Sequence, residues 1–441
     1  MLRARASNPA VSFALFLAPL GCGDDTVPAD EAGVATGSET DDEVGETESS
    51  TESETESETT ETETETSTET ETETTETTET ETTETDTTGG NAEWTLPDCA
   101  APGAPGIAWS ADGGFTIVPT ALPHVAPVSY TFGLATLHAP NAMVMHAGNH
   151  FYRSEDAGCT WEDLGTVAAL PASAPLDLVV GPDDTVYGWS NNMEGLVRWQ
   201  GETIEVLPGP AGAQVYAVAV DPDAPNHLRI GLSGGKLQDS FDQGESWAKV
   251  GVTAPGGFST SYELAFDPTN IDRAIVGFIQ SGWWVTDDGG DTWTQSAVET
   301  PAPDQAINGF NVEFAPDGSG VVYAQGLEVQ LQDSPKRIYR SEDSGYTFVP
   351  VVTATPELTL TNGTRMWIHP GDPDRLRAAF GTCIMGIGTS LYDYDHGAGE
   401  VTTSHSPYGG FNAMVASPAD PDFVYIGLEG SGNMNGPECP F

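Results

Sequence analysis

The stretch "TDDGGDTWTQ", residues 286–295, sets a hydroxyl, carboxylates and glycines in short order before a tryptophan. The order recurs as "SADGGFTI" (110–117), "SEDAGCTW" (154–161), "SFDQGESW" (240–247) and "SEDSGYTF" (341–348). Such a run reads as a chain reversal. Short hydroxyl and carboxylate side chains accept hydrogen bonds from backbone N–H groups that lack a strand partner. Glycine tolerates the positive φ of a tight corner. The Trp or Phe that follows opens the next strand and can pack between neighbouring units. The corner residues are Ser110, Asp112 and Gly114; Ser154, Asp156, Gly158 and Trp161; Ser240, Asp242, Gly244 and Trp247; Thr286, Asp288, Gly290 and Trp293; and Ser341, Asp343, Gly345 and Phe348.

Working outward, each corner sits inside a larger repeat. An apolar run ends in proline seven times: "ATLHAP" (Pro140), "DLVVGP" (Pro182), "AVAVDP" (Pro222), "ELAFDP" (Pro268), "NVEFAP" (Pro316), "RMWIHP" (Pro370) and "AMVASP" (Pro418). A second apolar run follows each proline, as in "HLRIGLS" and "AIVGFIQ", and a third usually leads into the corner. Alternating or continuous apolar runs of five or six residues, bounded by Gly, Pro and Asp, are strand signals. Four short strands in a unit of about 45 residues, repeated seven times, predict an all-β, seven-bladed β-propeller. The stretches "SNNMEGLVRW" (190–199) and "DYDHGAGE" (393–400) fill the two remaining corner slots in degraded form.

These corners resemble the Asp-box, or BNR, repeat of propellers such as sialidases, sortilin and the photosystem II assembly factor family. The resemblance covers residues 105–435. It implies that the boxes lie on the face opposite the binding site and are structural. The first box has no strand pair before it, and the seventh unit has no box after it. The N-terminal strand is therefore expected to complete the last blade and close the ring. Cys99, Cys159, Cys383 and Cys439 form an even set suited to disulfides. Pairing Cys99 with Cys439 would latch the ring and is favoured over Cys99–Cys159 with Cys383–Cys439.

The ends point to export. Arg3 and Arg5 precede an apolar run, Val11 to Leu20, too short to span a bilayer. Gly21-Cys22 then resembles a bacterial lipobox, with Cys22 acylated; an ordinary secretory signal is the alternative. Residues 21–90 carry 25 acidic groups and no Lys or Arg, against a net charge of −53 for the whole chain. Such a segment buries too little apolar surface to offset its chain entropy. The expected organisation is a lipoprotein signal over 1–22, a disordered acidic Thr/Glu/Ser linker over 23–92 and the propeller over 93–441. The expected address is a membrane, on its periplasmic face or at the cell surface, and the expected state is a monomer. With 42 acidic and 12 basic residues from Asn91 onward, nucleic acid is disfavoured as a partner.

No catalytic constellation stands out. The sialidase chemistry needs an arginine cluster, and only Arg365 is well placed for the open face. A divergent glycoside hydrolase would need two carboxylates, for which Glu328 and Glu429 are the candidates. His138, His146 and His150 cluster in sequence but show no convergence, so no metal and no cofactor is expected. Trp189, Tyr216, Tyr262, Trp283 and Phe310 stand near the expected mouth, and aromatic rings around a concave opening suit peptide or sugar recognition. The leading expectation is a binding or assembly module for a protein or glycan on the open face; the alternative is a divergent glycoside hydrolase.

Overall fold

A computed structural model describes residues 93–428, apart from connections at 123–130, 148–149, 168–169, 171–175, 191–192, 194, 211–212, 257–260, 300–305, 330–334, 361–364, 382–388 and 407–410. Cys22, Cys383, Glu429 and Cys439, with the signal and the acidic linker, lie outside the described residues. Every regular element described is a β-strand, and the strands form seven sheets, antiparallel throughout except where Ala297–Val298 adds a parallel edge to Thr347–Thr353 of blade 5. Blade 4 is representative. Ser261–Asp267, Asn270–Phe278, Gly282–Thr286 and Thr294–Gln295 pair in chain order from the axis outward.

Burial explains the sequence pattern. Second strands are covered on both faces, so they read as continuous apolar runs; Ala274 to Phe278 are all buried. Outer strands such as Glu162–Thr166 face water and carry polar residues. Seven buried clusters result, one between each adjacent pair of blades. The core is a ring of interfaces rather than a central mass.

The ring closes as expected. Ile107–Ser110 pairs antiparallel with Asp420–Leu428, and Trp109 bridges Val118, so the N-terminal segment supplies the outer part of blade 7. The latch differs from the favoured pairing. Cys99 bonds Cys159, inside the box of blade 1. The reason is the path of the preceding segment. Trp94 Nε1 donates to the Leu137 carbonyl at 3.0 Å, and the Thr95 N–H donates to Asn141 Oδ1 at 2.8 Å. Both contacts lay the segment on blade 1. The bridge therefore ties the approach to blade 7 onto its neighbour.

The five boxes have one geometry. In blade 5, Ser341 Oγ donates to Asp343 Oδ1 at 2.7 Å and accepts the Gly345 N–H at 2.9 Å, while the Thr347 N–H donates to Asp343 Oδ1 at 2.8 Å. The glycine-to-hydroxyl distance is 2.8 or 2.9 Å in all five. The box glycines have φ between 87° and 103°, which disfavours any side chain. Each also touches the preceding blade. A Cβ on Gly345 would lie 2.3 Å from Ile275 Cδ1, and one on Gly114 would lie 2.5 Å from Leu391 Cδ2.

One expected corner is corrected. In blade 2 the third strand is Leu196–Gln200 and the fourth is Thr203–Leu207, so the reversal is a tight hairpin at Gly201-Glu202. The stretch 190–195 instead joins the second and third strands, at the opposite end. Blade 6 does turn at 396–399, where the Ala398 N–H donates to Asp395 Oδ1.

Candidate binding site in the central channel

The seven inner strands surround an axial cavity of about 410 Å³, with residues from every blade in its wall. The strands start at the end opposite the boxes, because the reversal after the first strand and the box reversal lie on the same side of an up-and-down blade. Most wall positions are small or apolar, such as Gly133, Ala217, Ala265 and Ala413. Four are charged: Asp177, Glu263, Glu313 and Arg365.

Register places these four together. Asp177, Ala217, Glu263, Arg365 and Ala413 each stand five residues before the proline that ends their strand. They form one layer near the strand starts. Glu313 stands three residues before Pro316, one layer deeper. Arg365, from blade 6, donates through Nη1 to Asp177 Oδ1 of blade 2 at 3.1 Å. Blades 2 and 6 are not neighbours, so this ion pair crosses the channel.

Glu263 is half-buried and Glu313 is exposed to channel water. Both nonetheless sit inside the ring of strands. Confinement disfavours their charged forms, and the Asp177 carboxylate adds to the effect. Glu263 is pushed up to about 8 and Glu313 to about 7, with Arg365 opposing the shift in both. Because the carboxyls keep contact with water, these shifts rest on confinement rather than on full exclusion of solvent.

The aromatic candidates divide. Trp189 and Tyr216 line the cavity, and Trp189 Nε1 donates to the Tyr216 carbonyl at 3.2 Å. Tyr262 is 40% exposed and meets Phe310 edge-on, with ring centroids 4.7 Å apart. Phe310 itself is buried. Trp283 is fully buried between blades 4 and 5, against Tyr339 and Phe348, and presents no surface to a ligand. Its strand alternation points it into the interface rather than towards the mouth.

Glu328 is corrected as well. It ends the second strand of blade 5, is buried, and accepts from Arg337 Nε at 3.0 Å. It is a paired interior carboxylate, not an open loop residue. Other arginines act as staples between blades. Arg229 donates to the Ile271 carbonyl and to Asp272 of blade 4, and Arg198 reaches Glu245 of blade 3. The three histidines diverge: His138 meets Asp184, His150 meets Asp163, and His146 is buried against Phe151.

The sequence reading passed over Asp177, Glu263 and Glu313. A usable signal was present, since charged residues replace Ala or Val at fixed offsets from the strand-ending prolines.

Ring, boxes and closure define an Asp-box β-propeller with a charged axial channel. The chain belongs to the family of the dispase autolysis-inducing protein of Streptomyces mobaraensis, sharing 34% identity over 343 residues, which is 76% of this chain and 90% of that protein. Residues 235–376 match the family model described as Sortilin-Vps10 (sortilin, neurotensin receptor 3). A xyloglucanase of Paenibacillus sp is 28% identical over 247 residues, covering 48% of this chain but only 23% of that enzyme. Among solved structures, YCF48 from Cyanidioschyzon merolae aligns with a TM-score of 0.47 and 14% identity over 69% of this chain and 97% of that one.

Proposed function

We propose that the chain is an exported, membrane-tethered propeller that binds a protein partner at the open end of its channel and promotes the self-cleavage of a protease. Family membership carries the reading: the relative whose name records the induction of dispase autolysis matches over 90% of its own length. The ring suits such a task, because its strands fix the channel residues in advance and little ordering remains to be done on binding. In this reading acylated Cys22 anchors the chain and the acidic linker gives the propeller reach from the membrane surface. The test mixes the purified chain with dispase at equal concentration and follows dispase fragments on a gel. Faster fragmentation than in dispase alone is expected; an unchanged rate sinks the proposal.

A second reading, a divergent glycoside hydrolase, draws on the xyloglucanase match and on Glu263 and Glu313, whose raised values suit a general acid. Sugar release from xyloglucan that is lost in Glu263→Gln would select it.

A further inference from the structure

Six of the seven blades finish their rim in one way. An N–H in the corner after strand three donates to the carbonyl of the turn between the first two strands, as Ser344 to Gly320 at 2.9 Å and Gln243 to Asn226 at 3.1 Å. Blade 6 keeps the bond with its degraded corner, His396 to Asp374 at 2.9 Å. Blade 2 has only the tight hairpin at Gly201-Glu202. Its equivalent carbonyl belongs to Asp184, two residues before buried Val186 as Gly320 is before buried Val322. That carbonyl receives no N–H from a described residue.

A groove of about 220 Å³ opens on the rim at this place, between blades 1 and 2. Leu137, Val144, Val186 and Trp199 make an apolar floor, and Ala139 stands exposed at the edge. Register identifies the groove as the seat of a corner that blade 2 does not make. A Cβ on the box glycine Gly345 would meet Ile275 and Val285 of the preceding blade. Ile275 stands three residues after the acceptor Asp272, and Val285 one before Thr286. Blade 1 has Val144 three residues after the acceptor Asn141, and Arg153 one before Ser154. Val144 and Arg153 both line the groove.

Arg153 gives the seat its chemistry. In register it matches Arg198 of blade 2, which crosses to the box of blade 3 and donates to the Gln243 carbonyl at 3.0 Å and to the Glu245 carboxylate at 2.9 Å. Arg153 has no such corner ahead of it. It pairs with Glu155 of its own blade, and its side chain is 32% exposed against 12% for Arg198. An ion pair this open contributes little. The two carboxylates beside the groove are engaged within the protein. Asp183 Oδ1 accepts the Thr185 N–H at 3.1 Å, and Asp184 accepts the His138 and Ala139 N–H groups at 2.6 and 2.8 Å. The charge left to meet a partner is the guanidinium.

We propose that this groove is a docking site for a tight turn of a partner protein, with glycine at its tip and a carboxylate beside it, seated where the other blades place their own corners. The apolar floor covers the tip, the Asp184 carbonyl accepts an N–H of the turn, and Arg153 exchanges Glu155 for the incoming carboxylate. The site lies on the box rim, at the end opposite the open mouth of the channel. It therefore goes beyond the reading above and does not depend on it.

The test uses fluorescence anisotropy of the full chain with a labelled, cyclised peptide of its blade 3 corner, residues 240–247, a turn held in shape before binding. Binding should saturate below about 1 mM. The Glu245→Gln peptide should bind about fivefold more weakly. The Gly244→Val peptide, whose parent glycine has φ of 94°, should not bind. In the chain, Arg153→Met should remove the preference for Glu245, and Ala139→Trp should fill the groove and abolish binding while melting like the parent. Absence of saturation, equal binding of the three peptides, a Glu245 preference that survives Arg153→Met, or undiminished binding by Ala139→Trp would overturn the proposal. Self-association of the parent in sedimentation that Ala139→Trp abolishes would give the groove to a second copy and overturn the partner assignment. Dispase fragmentation tests the channel reading on its own, so either measurement can fail while the other succeeds.

Discussion

The boxed rim and the axial channel are built from the same repeat and obey opposite rules. At the rim, five corners repeat one hydrogen-bond pattern, and each box glycine is pressed against the preceding blade. In the channel the equivalent positions differ from blade to blade: Asp177, Ala217, Glu263, Arg365 and Ala413 share a register and little chemistry. Uniformity marks the parts that every interface needs. Departure from it marks the parts that act once.

The contrast can be broken most severely at the latch. Cys99–Cys159 closes a loop of 60 residues, and by chain-entropy reasoning Cys99→Ser should cost about 4 kcal/mol. Guanidinium unfolding of the oxidised parent and the variant measures it; a loss below about 1 kcal/mol would mean that strand pairing alone holds blade 7. Next comes a corner. Gly345→Ala places a Cβ against Ile275 in a left-handed backbone, and the expected loss is about 3 kcal/mol from overpacking and φ strain together. The same exchange at Gly165, which has positive φ but open space around it, should cost only about 1 kcal/mol. Equal losses at the two sites would show that interface packing contributes nothing to the corner.

The smallest effect has opposite signs in the two regions. Hydroxyl bonds from Ser246 and Ser240 hold Asp242 down at about 2, and a bond from Thr292 lowers Asp288. Groups depressed on folding contribute stability above their unfolded value, about 4, and lose it as pH falls towards about 2. Glu263 and Glu313 are raised, so the folded state holds more protons than the unfolded chain between about 4 and about 8. Their contribution is fullest in mild acid and declines as pH rises through that window. Thermal melts should therefore rise from pH 8 to pH 5 and fall steeply only towards the acid limb. The Glu263→Gln, Glu313→Gln variant should flatten the first trend and leave the second intact; a parent curve without the first trend would contradict the confinement of these carboxyls.

Much of the rim was legible because its signals are local. Ser, Asp and Gly at fixed spacing specify their own corner, and terminal prolines with period-two runs specify the strands. Blade 2 differs because its hairpin at Gly201-Glu202 needs no box, and the sequence joining its second and third strands imitates one. The channel was legible only in part. Arg365 was placed from its position at a strand start, but its partner Asp177 lies 188 residues away, and nothing local joins them. Trp283 and its neighbour Trp284 read alike in sequence; alternation sends one into the interface and leaves the other half-buried. The disulfide depended on how 93–106 crosses blade 1, a tertiary path that cysteine spacing does not encode.

Closure of blade 7 has a consequence for synthesis. Ile107–Ser110 cannot find its place until Asp420–Leu428 has been made, more than 300 residues later. At ordinary translation rates that is a wait of roughly 15 to 60 s. During this time the apolar face of blade 1 that packs on blade 7, Leu134, Met143 and Met145 among it, has no partner to cover it. The polypeptide is thus at its most vulnerable just before it is finished.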